Sequence, residues 1–160
     1  NVILSQKAIS DKTETTKLFL CKFSNGMHRT YNSSLCDKSL EIQSTTLDDF
    51  FAQINFDDKI NFIKIDTEGS EMKVLAGIEK ILESNELSLQ IEYNPSSIRE
   101  SGFNPKSLPD LLIKKGFELM SFNNKIGKFK IISLAELFER YPEKKNSFVN
   151  LFCKKIKNLN

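Results

Sequence analysis

The sequence predicts an α/β fold, a mostly parallel sheet covered by helices, and three observations predict it. Between residues 60 and 122 the chain alternates strand, helix, strand, helix, strand, the order that builds parallel sheets. The run at 60–65 is almost continuously apolar, as in a central strand buried on both faces. A chain of 160 residues, 39% hydrophobic and 28% charged, suits one globular domain that buries about 70% of its unfolded surface.

Each element has its own warrant. Val2 to Leu4 and then Ala8-Ile9 are short apolar runs, and Ser10-Asp11-Lys12 is a turn. Thr15 to Phe23 alternates loosely and is rich in β-formers, so it reads as a strand. The polar stretch 24–43, with Asn-Gly at 25–26, reads as a long loop with an uncertain strand near 40–42. Thr46-Leu47-Asp48-Asp49 places a hydroxyl before free amides and an acid three residues on, which opens a helix to about Ile54. Residues 70–83 carry Met72, Leu75, Ile78 and Leu82 at helical spacing. Leu87 to Tyr93 is a strand. Asn104-Pro105 suits an N-cap and first position of a helix that Gly116 ends. Phe117 to Phe122 and residues 129–133 are strands, Ser133 opens a last helix that stops before Pro142, and 148–153 closes the sheet.

Composition narrows the function. The formal net charge is only +2, and basic and aromatic residues are not interleaved, so neither nucleic acid nor a membrane surface is an expected partner. No apolar run approaches the ~18 residues of a membrane span, and residues 1–10 lack the pattern of a signal peptide. Three cysteines, far apart and without a C-x-x-C pair, argue against a disulfide framework or zinc and for a reducing, cytoplasmic setting. The thirteen phenylalanines read as packing. The chain opens on Asn1 rather than Met and at once on a strand-like run, which reads as a single domain, 1–160, truncated at its N-terminus.

The chemistry concentrates in Asn61 to Ile78, NFIKIDTEGSEMKVLAGI, where a strand hands over to a helix. Glu71 is explained by the favourable place of an acid in a first helical turn, and Gly69 by a tight turn. Asp66 and Glu68 precede the helix at the carboxyl end of the strand, where ligands bind in parallel sheets. Two neighbouring carboxylates repel and need a compensating cation, donor or ligand. Lys64 is placed to be that cation, so the residues alone leave structure and function both open.

The segments T-T-L-D-D-F-F and N-F-I-K-I-D-T-E-G-S-E-M-K-V-L-A-G resemble the FkbM-type methyltransferase family. N-V-I-L-S-Q-K-A-I-S-D resembles that family's third strand, L-S-L-Q-I-E-Y its fifth and N-S-F-V-N-L-F-C-K-K its last, so the resemblance runs through essentially the whole chain. It implies a Rossmann-like class I methyltransferase sheet, mostly parallel with an antiparallel last strand and with its N-terminal strands missing. It also implies an S-adenosylmethionine-dependent O-methyltransferase whose acceptor is a hydroxyl of a sugar, glycan or related small molecule. The family's D-x-G-A-N-x-G turn, where backbone approaches the cofactor, does not occur among the six glycines of this sequence. A non-catalytic remnant or binding module that keeps the fold is therefore the competing reading.

On this resemblance Asp66 and Glu68 are the catalytic candidates, one orienting the acceptor hydroxyl or the methionine end of the cofactor, the other acting as base. Glu92 and Asn94, ending the neighbouring strand, are acceptor contacts together with Lys64. The lone His28, a loop residue by default, is a possible lid contact. Ala8, Ile9 and Asp11 are set to border the adenine. Asp66, Glu68 and Glu92 would make an oxygen set for a hard cation, but the motif demands no metal and none is expected.

Overall fold

The computed structural model describes residues 2–156 apart from Phe23 and Asn85. A small sheet has the order β1-β3-β2, formed by Ala8–Ile9 (β1), Glu14–Cys21 (β2) and Cys36–Thr45 (β3). A larger one has the order β4-β5-β8-β6-β7, formed by Phe62–Ile65 (β4), Ser88–Tyr93 (β5), Phe117–Asn123 (β6), Lys128–Ile131 (β7) and Val149–Lys155 (β8). The helices are short: Leu47–Gln53 (α1), Glu71–Ala76 (α2), Pro95–Glu100 (α3), Ser107–Lys114 (α4) and Leu134–Arg140 (α5).

The expectation of a mostly parallel, Rossmann-like sheet is overturned. In the larger sheet only β4 and β5 pair in parallel, while β5–β8, β8–β6 and β6–β7 are antiparallel. The small sheet is mixed as well, β1 running parallel and β2 antiparallel to β3. The physical reason is strand order. Crossovers leave β4, β5 and β6 running one way, but β8 enters between β5 and β6 and turns both of its ladders antiparallel. Periodicity reports elements and not who neighbours whom. The same order makes β4 an edge strand among the described residues, and Phe62 on it is half exposed, against the expectation of a doubly buried centre.

Other departures have local causes. Where a loop with a short strand near 40–42 was expected, β3 spans ten residues and pairs antiparallel with β2 from Glu14↔Ser44 to Cys21↔Cys36. Most of its side chains are exposed, so ladder hydrogen bonds hold it rather than an apolar face. That register also brings Cys21 and Cys36 together as a disulfide, against the expectation drawn from their distance in sequence, because antiparallel pairing closes the 15-residue gap. The helix expected over 70–83 ends at Ala76. The Gly77 carbonyl accepts from Leu47 and Asp48, so the end of α2 caps the start of α1, and a Cβ on Gly77 would overlap the Ser10 carbonyl. Val2, Ile3 and Leu4 are exposed and form no strand.

The core lies on one face of the larger sheet. Leu89, Ile91, Leu119 and Leu151 pack with Val74 and Leu75 of α2, Leu108 and Leu112 of α4, and Leu137 of α5. The opposite face, reached by alternate residues of the same strands, carries Phe62, Phe122, Phe129 and Phe152 in ring-to-ring contact. Phe62, Phe122 and Phe129 are about half exposed, so they are not the core packing expected of them. No helix among the described residues is long and apolar enough to cross a membrane.

Candidate active site

Parallel pairing of β4 with β5 positions the acidic residues. One step beyond the last registered pair, Ile65↔Ile91, come Asp66 and Glu92, the carboxyl-end residues of two neighbouring strands. Glu68 follows in the turn to α2. One carboxylate oxygen from each of Asp66, Glu68 and Glu92 lies within 4.8 Å of the other two. Such an oxygen set has the chemistry of a hard-cation site, but two side-chain cations already face it. Lys64 Nζ sits 2.9 Å from Asp66, and Arg29 Nη2 sits 3.5 Å from Glu68.

Glu71 shapes this turn. Its side chain is fully buried and folds back, so that Oε1 accepts from the Thr67 amide at 3.0 Å, the Thr67 hydroxyl at 3.1 Å and the Gly69 amide at 3.1 Å. The role is structural, as the sequence suggests, but it works through the turn's amides and not only through the helix macrodipole. Glu68 and Gly69 both have positive φ, +54° and +104°. A left-handed conformation costs a glutamate about 1–2 kcal/mol. Ser101 Oγ holds the Gly69 carbonyl at 2.7 Å, and Tyr31 Oη holds that of Glu68 at 2.7 Å.

The electrostatics follow from burial and crowding. Burial, with Glu68, Asp66 and Glu71 close by, pushes the Glu92 carboxyl up to about 7, and its Oε2 is buried without a donor. Burial also raises Glu68, against the pull of the Arg29 guanidinium. Asp66 is the most open of the three.

A sequence profile of the Methyltransferase FkbM domain matches residues 6–119, which holds the whole of this turn and both strands that lead to it. The chain belongs to the FkbM methyltransferase family. No curated protein and no solved structure matches it. The FkbM match ends inside β6, so β7, α5 and β8 lie beyond it.

The other residues singled out in this FkbM chain are not all brought to the turn. Asn94 Oδ1 accepts from the Ser97 amide at 3.2 Å and caps α3, a helix the sequence reading missed although Asn94-Pro95 carries the same signal as Asn104-Pro105. His28 Nδ1 accepts from the Cys21 amide at 3.1 Å, which closes its own loop. Ala8 and Ile9 form β1, and Ile9 packs on the core. Asp11 lines a cleft of about 300 Å³ with Met72, Leu75, Phe103 and Leu111, whose walls include none of the three clustered carboxylates.

These residues do not by themselves fit a complete methyl-donor site. Among the positive-φ glycines only Gly69 lies at the turn, and the place of its missing Cβ is filled by Ser97 O and Tyr31 Oη rather than open to a ligand. The residues that sequence reasoning overlooked are Arg29, Tyr31 and Glu100. A charged residue in a polar loop looks solvated, and nothing local marks it as buried.

Glu92→Gln tests the crowding directly. The folded pKa, about 7, stands above the ordinary 4.5, so Glu92's contribution to stability is full below 4.5 and is lost as pH rises through 7. At about pH 8 the variant is expected to be more stable than the parent by ~1 kcal/mol, a figure reduced for partial exposure, with no difference near pH 4. Chemical denaturation at the two pH values checks it, and equal stabilities at the higher one would show that Glu92 is not crowded.

Proposed function

We propose that this FkbM chain carries the acceptor side of an S-adenosylmethionine-dependent O-methyltransferase acting on a hydroxyl of a sugar, glycan or related small molecule. The observation that supports this is the convergence of Asp66, Glu68 and Glu92 at the carboxyl ends of β4 and β5, inside the family-matched segment. The family's methyl donor supplies an electrophilic methyl group. What falls to this chain is to hold the acceptor oxygen in line and to take its proton. Asp66, the most accessible carboxylate and held by Lys64, orients the hydroxyl. Glu68 lies against it as a second contact or base. Glu92, near neutrality, is suited to accept a proton at working pH. Three acids repel a polyanion, which favours an uncharged acceptor over nucleic acid.

The test is release of S-adenosylhomocysteine by the natural protein, given S-adenosylmethionine and a panel of sugars, glycans and small alcohols. Asp66→Ala and Glu68→Ala are each expected to lower turnover by about 10²-fold or more. Turnover unchanged in both would remove these residues from the mechanism. No heat of S-adenosylmethionine binding by calorimetry would favour the binding-module reading.

A further inference from the structure

We propose that Arg29 is a positioning residue, reaching from the loop between β2 and β3 to fix Glu68 in place over the carboxylate turn. The inference rests on Glu68 being an acceptor-side group. Arg29 is only 2% exposed although it lies in a polar loop. Its guanidinium is shared between two carboxylates from distant parts of the chain, Glu68 at 3.5 Å and Glu100 at 3.1 Å. Nε donates to the Met27 carbonyl at 3.2 Å and Nη1 to Tyr31 Oη at 3.1 Å. A buried guanidinium with this many partners has one geometry, and the planar fork makes that geometry directional.

The loop grips the same turn at further points. Tyr31 Oη donates a hydrogen bond to the Glu68 carbonyl, and burial keeps that phenol protonated by pushing it up to about 12. Thr30 Oγ1 and Ser70 Oγ share a hydrogen bond of 2.8 Å, and Ser33 Oγ donates to Glu100 at 2.7 Å. The loop is itself anchored, by the Phe19–Arg29 bridge and by the Cys21–Cys36 link at its base. Glu68 therefore has its backbone held by Tyr31 and its side chain by Arg29. Glu71 holds the amides on either side of Glu68 but does not touch its carboxylate, so among these contacts Arg29 is the one that fixes where the side chain points. The charged groups that face Glu68 are Arg29, Asp66, Glu71 and Glu92, and Arg29 is the one that favours its carboxylate.

The test is an NMR titration of the Glu68 side-chain carboxyl in the natural protein, alongside methyl-transfer kinetics. In the unmodified protein the Arg29 side-chain nitrogen signals are expected to shift with the Glu68 midpoint. In Arg29→Lys, which keeps the charge but loses the fork that holds it against Glu68, that midpoint is expected to rise. Turnover is expected to fall roughly tenfold with the KM for S-adenosylmethionine unchanged, the pattern of a group that acts in the transition state and not in donor binding. Arg29→Gln should lose more of both, so that lysine rescues in part. A folded Arg29→Lys with the Glu68 midpoint unmoved would overturn the proposal. So would Arg29 signals that ignore the Glu68 titration in the unmodified protein, a measurement that stands even if the variants do not fold. Should the unmodified protein transfer no methyl group to any acceptor, the proposed function fails, while the NMR arm still decides whether Arg29 governs Glu68.

Discussion

Glu71→Ala is expected to cost about 4 kcal/mol, measured as a lower denaturation midpoint at an unchanged slope. A single fully buried oxygen accepts from two backbone amides and one hydroxyl of the turn. Truncation to alanine leaves the Thr67 and Gly69 amides without that acceptor, and each orphaned buried donor costs about 1–3 kcal/mol. The loss is large against the total of about 5–15 kcal/mol that a domain of this kind has. Glu71→Gln keeps an acceptor at the same place and is expected to recover most of it. Its new amide hydrogens take the position of Oε2, which has no partner, so recovery should stop short by about 1 kcal/mol. Equal losses in the two variants would mean that the three hydrogen bonds are not what holds the turn.

Gly69→Ala is expected to cost about as much by a different route. The residue sits at φ +104°, where an L side chain is strained by about 1–3 kcal/mol. A Cβ there would stand 2.6 Å from the Ser97 carbonyl oxygen and 2.7 Å from Tyr31 Oη. The first is backbone of α3 and cannot swing aside, so overpacking adds about 1–3 kcal/mol. The clash also pushes on Tyr31, which holds Glu68. Loss of stability should therefore come with loss of protection of the Glu68–Ser70 amides in hydrogen exchange. A fully stable Gly69→Ala would show that the turn has room that the geometry denies it.

Sequence reading reached the elements whose signals are local. Leu89, Ile91 and Tyr93 alternate with polar residues in β5, and Thr46 caps α1 by accepting from the Asp49 amide, as the T-L-D-D spacing suggests. It singled out Asp66, Glu68 and Glu92, whose carboxylates the fold brings together, because a strand end and a family motif both mark them. It reached only the 40–42 part of β3 because a ribbon held by backbone ladders needs no apolar alternation, and it missed the sheet order because the slot between β5 and β6 is filled by the last strand of the chain. Arg29 was illegible for the same reason in miniature. Its burial is made by Glu68 and Glu100, and only the folded chain brings those to it.

Among the described residues β4 lies at the edge of its sheet, and an edge strand has a consequence for association. An open strand edge offers its amides and carbonyls to any other extended chain, and the half-exposed Phe62 adds an apolar lure to the invitation. β4 answers in two ways. It is four residues long, too short to template a long ladder, and Lys64 stands in it, half exposed and paired with Asp66. A short edge strand that carries a lysine is a poor template for edge-to-edge pairing.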